Sequence, residues 1–563
     1  MLHLPDECWE LVFRFMNHHR YFDSLSLVSK QFLSITNRLR FSLTICDPTL
    51  PFLPRLFHRF PTLTSLDLTR FRGDLDALLH QISRSSLHLK SLNLSHHPTI
   101  PSNGLRSLAK KMKTLNSLSC SNMGSLKNAD LLLIADFFPF LEELDLSFPK
   151  DCNSNNFTDP VSDFGVKALS LALPKLRKVN LSGNYFINNP SLFSLCKNCE
   201  FLQEIVIFEC HFITQAGIAS AIRERPSLSS LRVSNFGIGT KKDFIGSLVS
   251  LKSLTCLDFT CSSISDELLC SVAEEALPLR KLVLQGCCNY SYAGIFCLLS
   301  KCQFVQHLDL QNAEFLNDQR VAELSLLLGN LVSINVGGCR MLTNSTFFAL
   351  ARNCPLLNEI QMEVTDIGKR GVKDSFMDFV VNPQVKSLHL AHNSWLRDES
   401  IKMLASVCPN LQLLDLSYCC GISEGIVEVL RRCCKIRELS LAFCKGVKLF
   451  GMNFEVPKLE VLNLSWSGID DEALYVISKS CCGLVHLDLE NCSDVTAKGV
   501  RQVVKNCTQL REINLESCYK VAGNVVAWMV FSRPSLRKIM APPRFRPSDS
   551  QRELFLRHGC LVC

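Results

Sequence analysis

From residue 63 onward the chain repeats one arrangement of apolar positions, L-x-x-L-x-L. It starts at Leu63, Leu89, Leu115, Leu141, Leu176, Leu202, Leu228, Leu254, Leu279, Val305, Leu331, Leu357, Val385, Leu411, Ile436, Leu459, Leu484, Leu510 and Leu536. Twelve of the eighteen intervals between these starts are 26 residues, too regular for independent domains. Within each unit the apolar alternation predicts a short strand, and a later apolar stripe at helical spacing predicts a helix. Between Leu411 and Pro457, LQLLDLSYC is the strand, Ser423 is the expected helix N-cap, and Ile426, Val429 and Leu430 are the inward stripe. Neighbouring strands sit about 4.8 Å apart and packed helices about 8–10 Å, so stacked units must bend with the strands inside. The fold class expected is α/β, a curved solenoid of about nineteen strand-helix units over 63–541 with parallel strands on its concave face. At roughly 20° per unit the array approaches a full circle.

The same alignment accounts for much of the cysteine content. Seven cysteines end the strand motif (Cys210, Cys287, Cys339, Cys419, Cys444, Cys492, Cys518), and seven lie three residues before the next start (Cys199, Cys302, Cys354, Cys408, Cys433, Cys481, Cys507). A small, weakly polar thiol suits a tight turn inside a solenoid, so these are expected as packing residues. The pairs Cys419-Cys420, Cys433-Cys434 and Cys481-Cys482 lack the spacing and histidine partners of a zinc site. Spacing and cysteine placement together resemble the cysteine-containing subclass of leucine-rich repeats. One unit departs from the period: 35 residues separate Leu141 from Leu176, and the extra length falls in PKDCNSNNFTDP. That polar stretch is expected as a rim loop, either a tolerated insertion or a target contact or lid.

Ahead of the repeats, Pro5, Asp6 and Glu7 suit the first turn of a helix. That helix carries two apolar stripes, Cys8-Leu11-Val12-Phe15 and Trp9-Phe13-Met16, and only one can face a small internal core. A second helix is expected over 23–33, opening on Asp23 and offering Leu25, Leu27, Val28 and Phe32. About 45 residues are marginal for an independent domain, so the surplus apolar surface is covered either by the end of the solenoid, as a cap, or by another protein.

Leu4-Pro5-Asp6-Glu7, the pair Val12-Phe13, and Leu25-Ser26-Leu27-Val28-Ser29-Lys30 followed by Phe32 resemble an F-box motif in order and separation. Trp9 and Cys8 stand where aliphatic residues are more usual. The resemblance implies that Leu4, Pro5, Asp6, Glu7, Trp9, Val12, Phe13, Leu25, Val28, Ser29, Lys30 and Phe32 contact a Skp-type adaptor. Through that adaptor the chain would reach a cullin scaffold and a RING subunit. An F-box followed by leucine-rich repeats is similar to the substrate receptors of SCF ubiquitin ligases, including the plant receptors for auxin and jasmonate. Such a receptor performs no chemistry; it holds a target where a lysine can meet the ubiquitin thioester. The implied organisation is an F-box over 1–46, a stiff junction with Pro48, Pro51 and Pro54 over 47–62, the solenoid, and a cap or tail over 542–563.

In each strand motif the third, fifth, seventh and eighth residues face the concave surface or its edge. Four consecutive units place His392, Tyr418, Phe443 and Trp466 at the eighth position, an aromatic ladder about 15 Å long at strand spacing. Exposed aromatics mark binding hot spots, so the ladder is the expected target site unless neighbouring loops cover it. Asp415, Glu438, Asp488 and Glu490 extend the candidate set, with Glu512 and Glu516 nearby, and a basic, apolar target segment would complement them. Asp or Asn also recurs at the fifth position elsewhere (Asp67, Asn93, Asp145, Asp258, Asp309), which leaves open a shared structural role.

Composition removes several function classes. With 47% hydrophobic residues and a net charge of +7 over 563 residues, the chain can build a large core and has no strong polyanion character, so nucleic acid is not an expected partner. No apolar run reaches the roughly 18 residues of a membrane helix, and no signal-peptide pattern opens the chain. Fourteen of the twenty-nine cysteines fall at these repeat positions, which points to reduced thiols in cytoplasm or nucleus. The hormone receptors of the resembled family rest on an inositol polyphosphate. Here the inner columns hold only the scattered cations Arg70, Lys178, Arg232 and Lys281, so no such cofactor is expected. His307, His389, His392 and His486 lack an accompanying nucleophile or metal triad, so no enzymatic activity is expected. Cys560-Leu561-Val562-Cys563 fits the loose form of a prenylation signal; the simpler expectation is that Leu554, Phe555 and Leu556 cap the last repeat. Beside the ligase reading stand a non-degradative binding scaffold and a small-molecule co-receptor.

Overall fold

The computed structural model describes residues 4–16, 20–150, 159–235, 241–369 and 380–563. The chain forms two compact units, Met1–Ile264 and Ser265–Cys563.

The first unit opens with three helices, α1 (Asp6–Arg14), α2 (Arg20–Leu25) and α3 (Lys30–Arg38). The helix expected over 23–33 is two helices meeting at a turn. Val28 donates to the Leu25 carbonyl to close that turn, and Ser29 caps α3 by accepting from the Phe32 amide at 3.1 Å. Asp23 therefore falls inside α2 rather than at a helix start.

Leaving α3, the chain enters a strand at once. β1 (Ser42–Thr44) pairs in parallel with β2 (Ser65–Asp67), so the sheet begins one unit earlier than the first leucine motif indicates. The first motif position of this unit is Arg40 rather than an apolar residue, so the motif does not register. The proline-rich junction is the helical half of that first unit, a 3-10 helix over Asp47–Phe52 followed by an α-helix over Leu53–Arg59. Asp47 pins it by accepting the Arg72 and Gly73 amides, and Thr62 donates its hydroxyl to the Arg38 carbonyl at 2.7 Å. The stiffness expected of this junction is present as hydrogen bonds from both sides.

Parallel strands alternating with helices continue through both units, the arrangement of a leucine-rich-repeat solenoid. Pairing registers match the motif alignment: the third residues of successive motifs face each other, as in Glu143↔Lys178 and Lys178↔Glu204 in the first unit. In the second unit Ser387↔Leu413, Leu413↔Glu438 and Glu438↔Val461 do the same. The motif leucines point away from this face and fill the core; Leu411, Leu414 and Leu416 are all buried. Among the described residues of the second unit, two departures from the regular repeat occur. Residues 445–457 form no helix, in a unit shortened to 23 residues that holds Gly446, Gly451 and Pro457. A last strand, Leu561–Val562, lies beyond the expected end and pairs with Lys538–Met540. Cys560 is buried beside it, so lipidation there requires the strand to peel away; of the three residues expected as a cap, Phe555 is buried and Leu554 and Leu556 are exposed. Ser423 is not a cap either: the helix is Gly425–Arg432, and Asp398 of the preceding unit takes the Ser423 and Glu424 amides. Most of the insertion between Leu141 and Leu176 lies outside the described residues.

Backbone groups left over by the strand-to-turn transition are satisfied by side chains from the neighbouring unit. The thiol at the ninth motif position donates to the carbonyl of the sixth residue one unit back: Cys419 to Leu390 (3.2 Å), Cys444 to Leu416 (3.1 Å), Cys492 to Leu464 (3.1 Å) and Cys518 to Leu489 (2.9 Å). Where cysteine is absent, His97 and Asn184 make the same bond, to Leu68 and Leu146. These thiols are thus packing residues, as expected, and hydrogen-bond donors as well. Burial pushes Cys419, Cys444 and Cys518 up to about 12. Alkylation of the folded chain at neutral pH is therefore expected to reach the exposed Cys8, Cys261, Cys288, Cys420, Cys434, Cys482 and Cys563 and to spare the ninth-position thiols until denaturant is added. Peptide mass spectrometry checks this, and early label on Cys444 would contradict it.

A second set of ties joins helix to helix. Asp318 accepts from the Thr343 and Thr346 amides and hydroxyls, and Asp266 and Asp471 repeat the pattern with Ser291 and Thr496. Asp318→Ala leaves partly buried donors without acceptors and should cost about 1–3 kcal/mol, read as a lowered urea midpoint. Asp318→Asn, which keeps one carbonyl acceptor, should cost less.

Candidate functional site

Exposed apolar side chains occur along both units, and in each unit one surface sets them on a defined frame. In the first unit, the rings of Trp9, Phe13 and Phe32 meet at centroid distances of 4.8–6.0 Å. They lie over a core of Phe13, Phe22, Ile35 and Leu39, with Met16 and Leu25 against it. Arg38 on α3 bridges Asp6 (2.9 Å) and Glu10 (2.8 Å) of α1. Gln31 also donates to Asp6; with Arg38, it holds that carboxyl below its usual range. With the Trp9 stripe turned inward, the other stripe of α1 faces out: Leu11 and Val12 are exposed, and Phe15 is 83% exposed. Leu27, in the turn before α3, is 87% exposed, and Val28 is exposed beside it.

This arrangement sorts the expected adaptor contacts. Leu4, Pro5, Glu7, Val12, Val28 and Lys30 are on the surface. Phe13 is 2% exposed and belongs to the core, and Trp9, Leu25 and Phe32 are half-buried against it. Ser29 is spent as a helix cap and Asp6 on Gln31 and Arg38. Leu11, Phe15 and Leu27, not among the expected contacts, are exposed on the same surface. The signal for the first two was the double stripe, which did not show which stripe lay inside.

In the second unit, His392, Tyr418, Phe443 and Trp466 form one continuous stack. Successive ring centroids are 4.1, 4.1 and 5.2 Å apart, with interplanar angles of 14°, 12° and 8°. Trp466 donates its indole N–H to Glu490 at 3.4 Å. Tyr418 and Trp466 remain 40% and 42% exposed, so the described loops do not cover the ladder. The backbone beneath is unusual. The eighth motif position has positive φ in every unit from His96 to Ser517, a conformation suited to Gly or Asn, and Gly183, Gly286, Gly338, Asn122, Asn235, Asn312 and Asn491 fill it elsewhere. The four aromatic residues sit there at φ 58–62°. Stacking offsets part of that strain, at about 0.5–1.5 kcal/mol per pair, but leaves the ring edges in water.

Beside the ladder the floor is small and flat: Ser417, Ala442 and Ser465 at the seventh position, Ser440 at the fifth. The carboxylates divide into two kinds. Asp415 accepts the Ser417 amide and hydroxyl, and Asp488 accepts the Glu490 amide at 2.9 Å. Asp67, Asn93, Asp145, Asp258 and Asp309 take the amide two residues on in the same way. The fifth-position acids are therefore turn-closing groups with one oxygen committed. Glu438 is exposed, and Glu490 lies at the end of the stack. Ligand atoms of Glu363, His389 and Asp415 lie within 4.8 Å of one another. The histidines at 389 and 486 lie beside glutamates, His389 at 3.6 Å from Glu359 and His486 at 3.4 Å from Glu512. Two of the scattered cations are also committed, Lys178 to Glu143 and Arg232 to Asp258. Among the described residues no helix is long and apolar enough to cross a membrane.

Comparison with known proteins agrees with this division. Residues 1–44 match the F-box domain, and 85–109 and 457–478 match the Leucine Rich repeat. A transport inhibitor response 1-like protein of Oryza sativa subsp. japonica is 22% identical over 492 residues, 78% of this chain and 84% of that protein. F-box/LRR-repeat protein 4 of Bos taurus is 28% identical over 156 residues, 27% of this chain and 25% of that one. Among solved structures, a chain of the yeast Rad7 and Elc1 complex is similar at 18% identity and a TM-score of 0.42, over 67% of this chain and 86% of that one.

Proposed function

We propose that this F-box/leucine-rich-repeat protein is the substrate-recognition subunit of an SCF ubiquitin ligase, a non-catalytic part that binds a Skp-type adaptor with α1 and the turn before α3 and holds a target protein on the ladder side of its second unit. The observation that carries the reading is the outward stripe of α1. Leu11, Val12 and Phe15 are exposed on a helix whose other stripe already fills the module's core. A solenoid cap would turn that surplus inward; an adaptor-binding module must leave it out.

The join between the two parts supports the mechanism. A receptor works by effective concentration, so slack between adaptor and target dilutes the gain. α3 runs into β1 through three residues, and β1 is paired with β2, so no flexible tether intervenes at this point. Free thiols along the repeats fit a reducing compartment, cytoplasm or nucleus.

The test is co-purification of the full chain with a Skp-type adaptor, followed by reconstitution with cullin and RING subunits and assay of ubiquitin transfer to a captured target. Retention of the adaptor with transfer supports the proposal. Retention without transfer to any ladder-dependent target would favour the scaffold reading, and failure to retain the adaptor would reject both. Deleting residues 1–46 is a poor control because it removes β1 from the sheet; point variants on α1 keep the fold intact.

A further inference from the structure

Between the strands that carry Lys281 and Lys538, the strand face of the second unit is opposite in sign to the chain that carries it. Over the third, fifth, seventh and eighth motif positions from His307 to Ser517 there are nine carboxylates and no lysine or arginine, whereas the whole chain carries a net charge of +7. An even spread of charge would place cations there as well. The exclusion coincides with the aromatic stack and its floor of small residues. Resting on the receptor reading above, we infer that the occupant of this face is an extended segment of the target protein rich in arginine or lysine, its aliphatic stems along the ladder's ring edges and its charged heads on the flanking carboxylates.

The geometry of the stack selects this occupant. Rings 4.1 Å apart and nearly parallel leave no gap for a fifth ring, so an inserted aromatic side chain is excluded along most of the ladder. What remains is a strip of ring edges beside a shallow floor. A flat strip of that kind suits the methylene stem of a long side chain, which is apolar along its length and charged at its tip. Carboxylates share this face with the strip. Glu490 accepts from Trp466, and Glu363 and Asp415 bring ligand atoms within 4.8 Å of one another around His389, on the strands either side of the one that leads to His392. Asp415 offers its second oxygen, since Ser417 occupies the first. Two carboxylates at that spacing can share one guanidinium. From the strand at Glu359 to the strand at Glu512 there are six strand steps, about 29 Å, which about nine extended residues span. An acidic or phosphorylated segment would meet repulsion along this whole length.

Binding of a fluorescein-labelled peptide of about nine residues, arginine alternating with serine, tests this by anisotropy on the full chain bound to its adaptor. Its counterpart has glutamate in place of every arginine. The arginine peptide should bind at least about tenfold more tightly and weaken as salt rises. Glu363→Gln with Glu438→Gln and Glu490→Gln, and separately Tyr418→Asn with Phe443→Asn and Trp466→Asn, should each reduce its affinity by about tenfold or more. Equal binding of both peptides, or arginine-peptide binding indifferent to both variants, overturns the inference. A complex that retains its adaptor and a ladder-dependent target but ignores the arginine peptide overturns this inference alone. Loss of adaptor retention by the wild-type chain takes down the receptor reading instead.

Discussion

Replacing Leu11 and Val12 with glutamate is expected to abolish retention of a Skp-type adaptor while leaving thermal unfolding of the chain unchanged. Both side chains are exposed in the free protein, so no core contact is lost and the substitutions face water. In a complex they would be buried. A fully buried Val or Leu contributes about 1.5–3 kcal/mol, and an unpaired carboxylate in an apolar interface costs more. Together the two substitutions should weaken binding by at least about a hundredfold. Phe13→Ala is the informative contrast. That ring is buried against Trp9 and Phe32, and its loss should cost about 3–5 kcal/mol of stability. Adaptor binding would then fall together with the unfolding midpoint of the module. A Leu11→Glu, Val12→Glu chain that still retains the adaptor would show that the exposed stripe is not the contact.

The second large effect separates stability from function at the ladder. Tyr418→Asn, Phe443→Asn and Trp466→Asn place a residue tolerant of positive φ at three positions now held at 58–62° by aromatic side chains. Each change removes backbone strain of about 1–2 kcal/mol and forfeits stacking of about 0.5–1.5 kcal/mol per ring pair. The unfolding midpoint should therefore move little. Target capture should be lost, because exposed aromatics of this kind supply about 2 kcal/mol or more each at an interface. A triple variant that unfolds early and still holds its target would reverse the assignment and make the ladder a packing device.

Much of this was legible in the chain because a 26-residue period fixes register. The motif alignment pairs Leu413 with Glu438 across neighbouring strands, as the structure does. Legibility failed where the local signal was too short or answered to two masters. β1 has Arg40 where the motif needs an apolar first residue, and the strand at Leu561 is two residues long. Residues 445–457 keep a place in the period but not a helix, because glycine and proline interrupt the stripe and the unit is too short to complete one. On α1 two apolar stripes were visible, and only the rings of Phe13 and Phe32 meeting edge to face decide which turns inward. The ladder was found as a column of aromatics, yet its positive φ was not, since that belongs to the turn rather than to the residue type. The fifth-position acids were legible as a repeat, and their hydrogen bonds explain the repetition: Asp415 and Asp488 close their own turns before they can meet a target.

The central claim is that one chain holds an adaptor and a target on two separate surfaces. The most direct measurement is ubiquitin transfer in a reconstituted system of adaptor, cullin, RING subunit and conjugating enzyme. It uses a target captured by the Leu11→Glu, Val12→Glu chain and not by the Tyr418→Asn, Phe443→Asn, Trp466→Asn chain. The account predicts transfer with the wild-type protein and none with either variant, the first failing to join the machine and the second failing to hold the target. Equal transfer with the wild-type chain and both variants would contradict it.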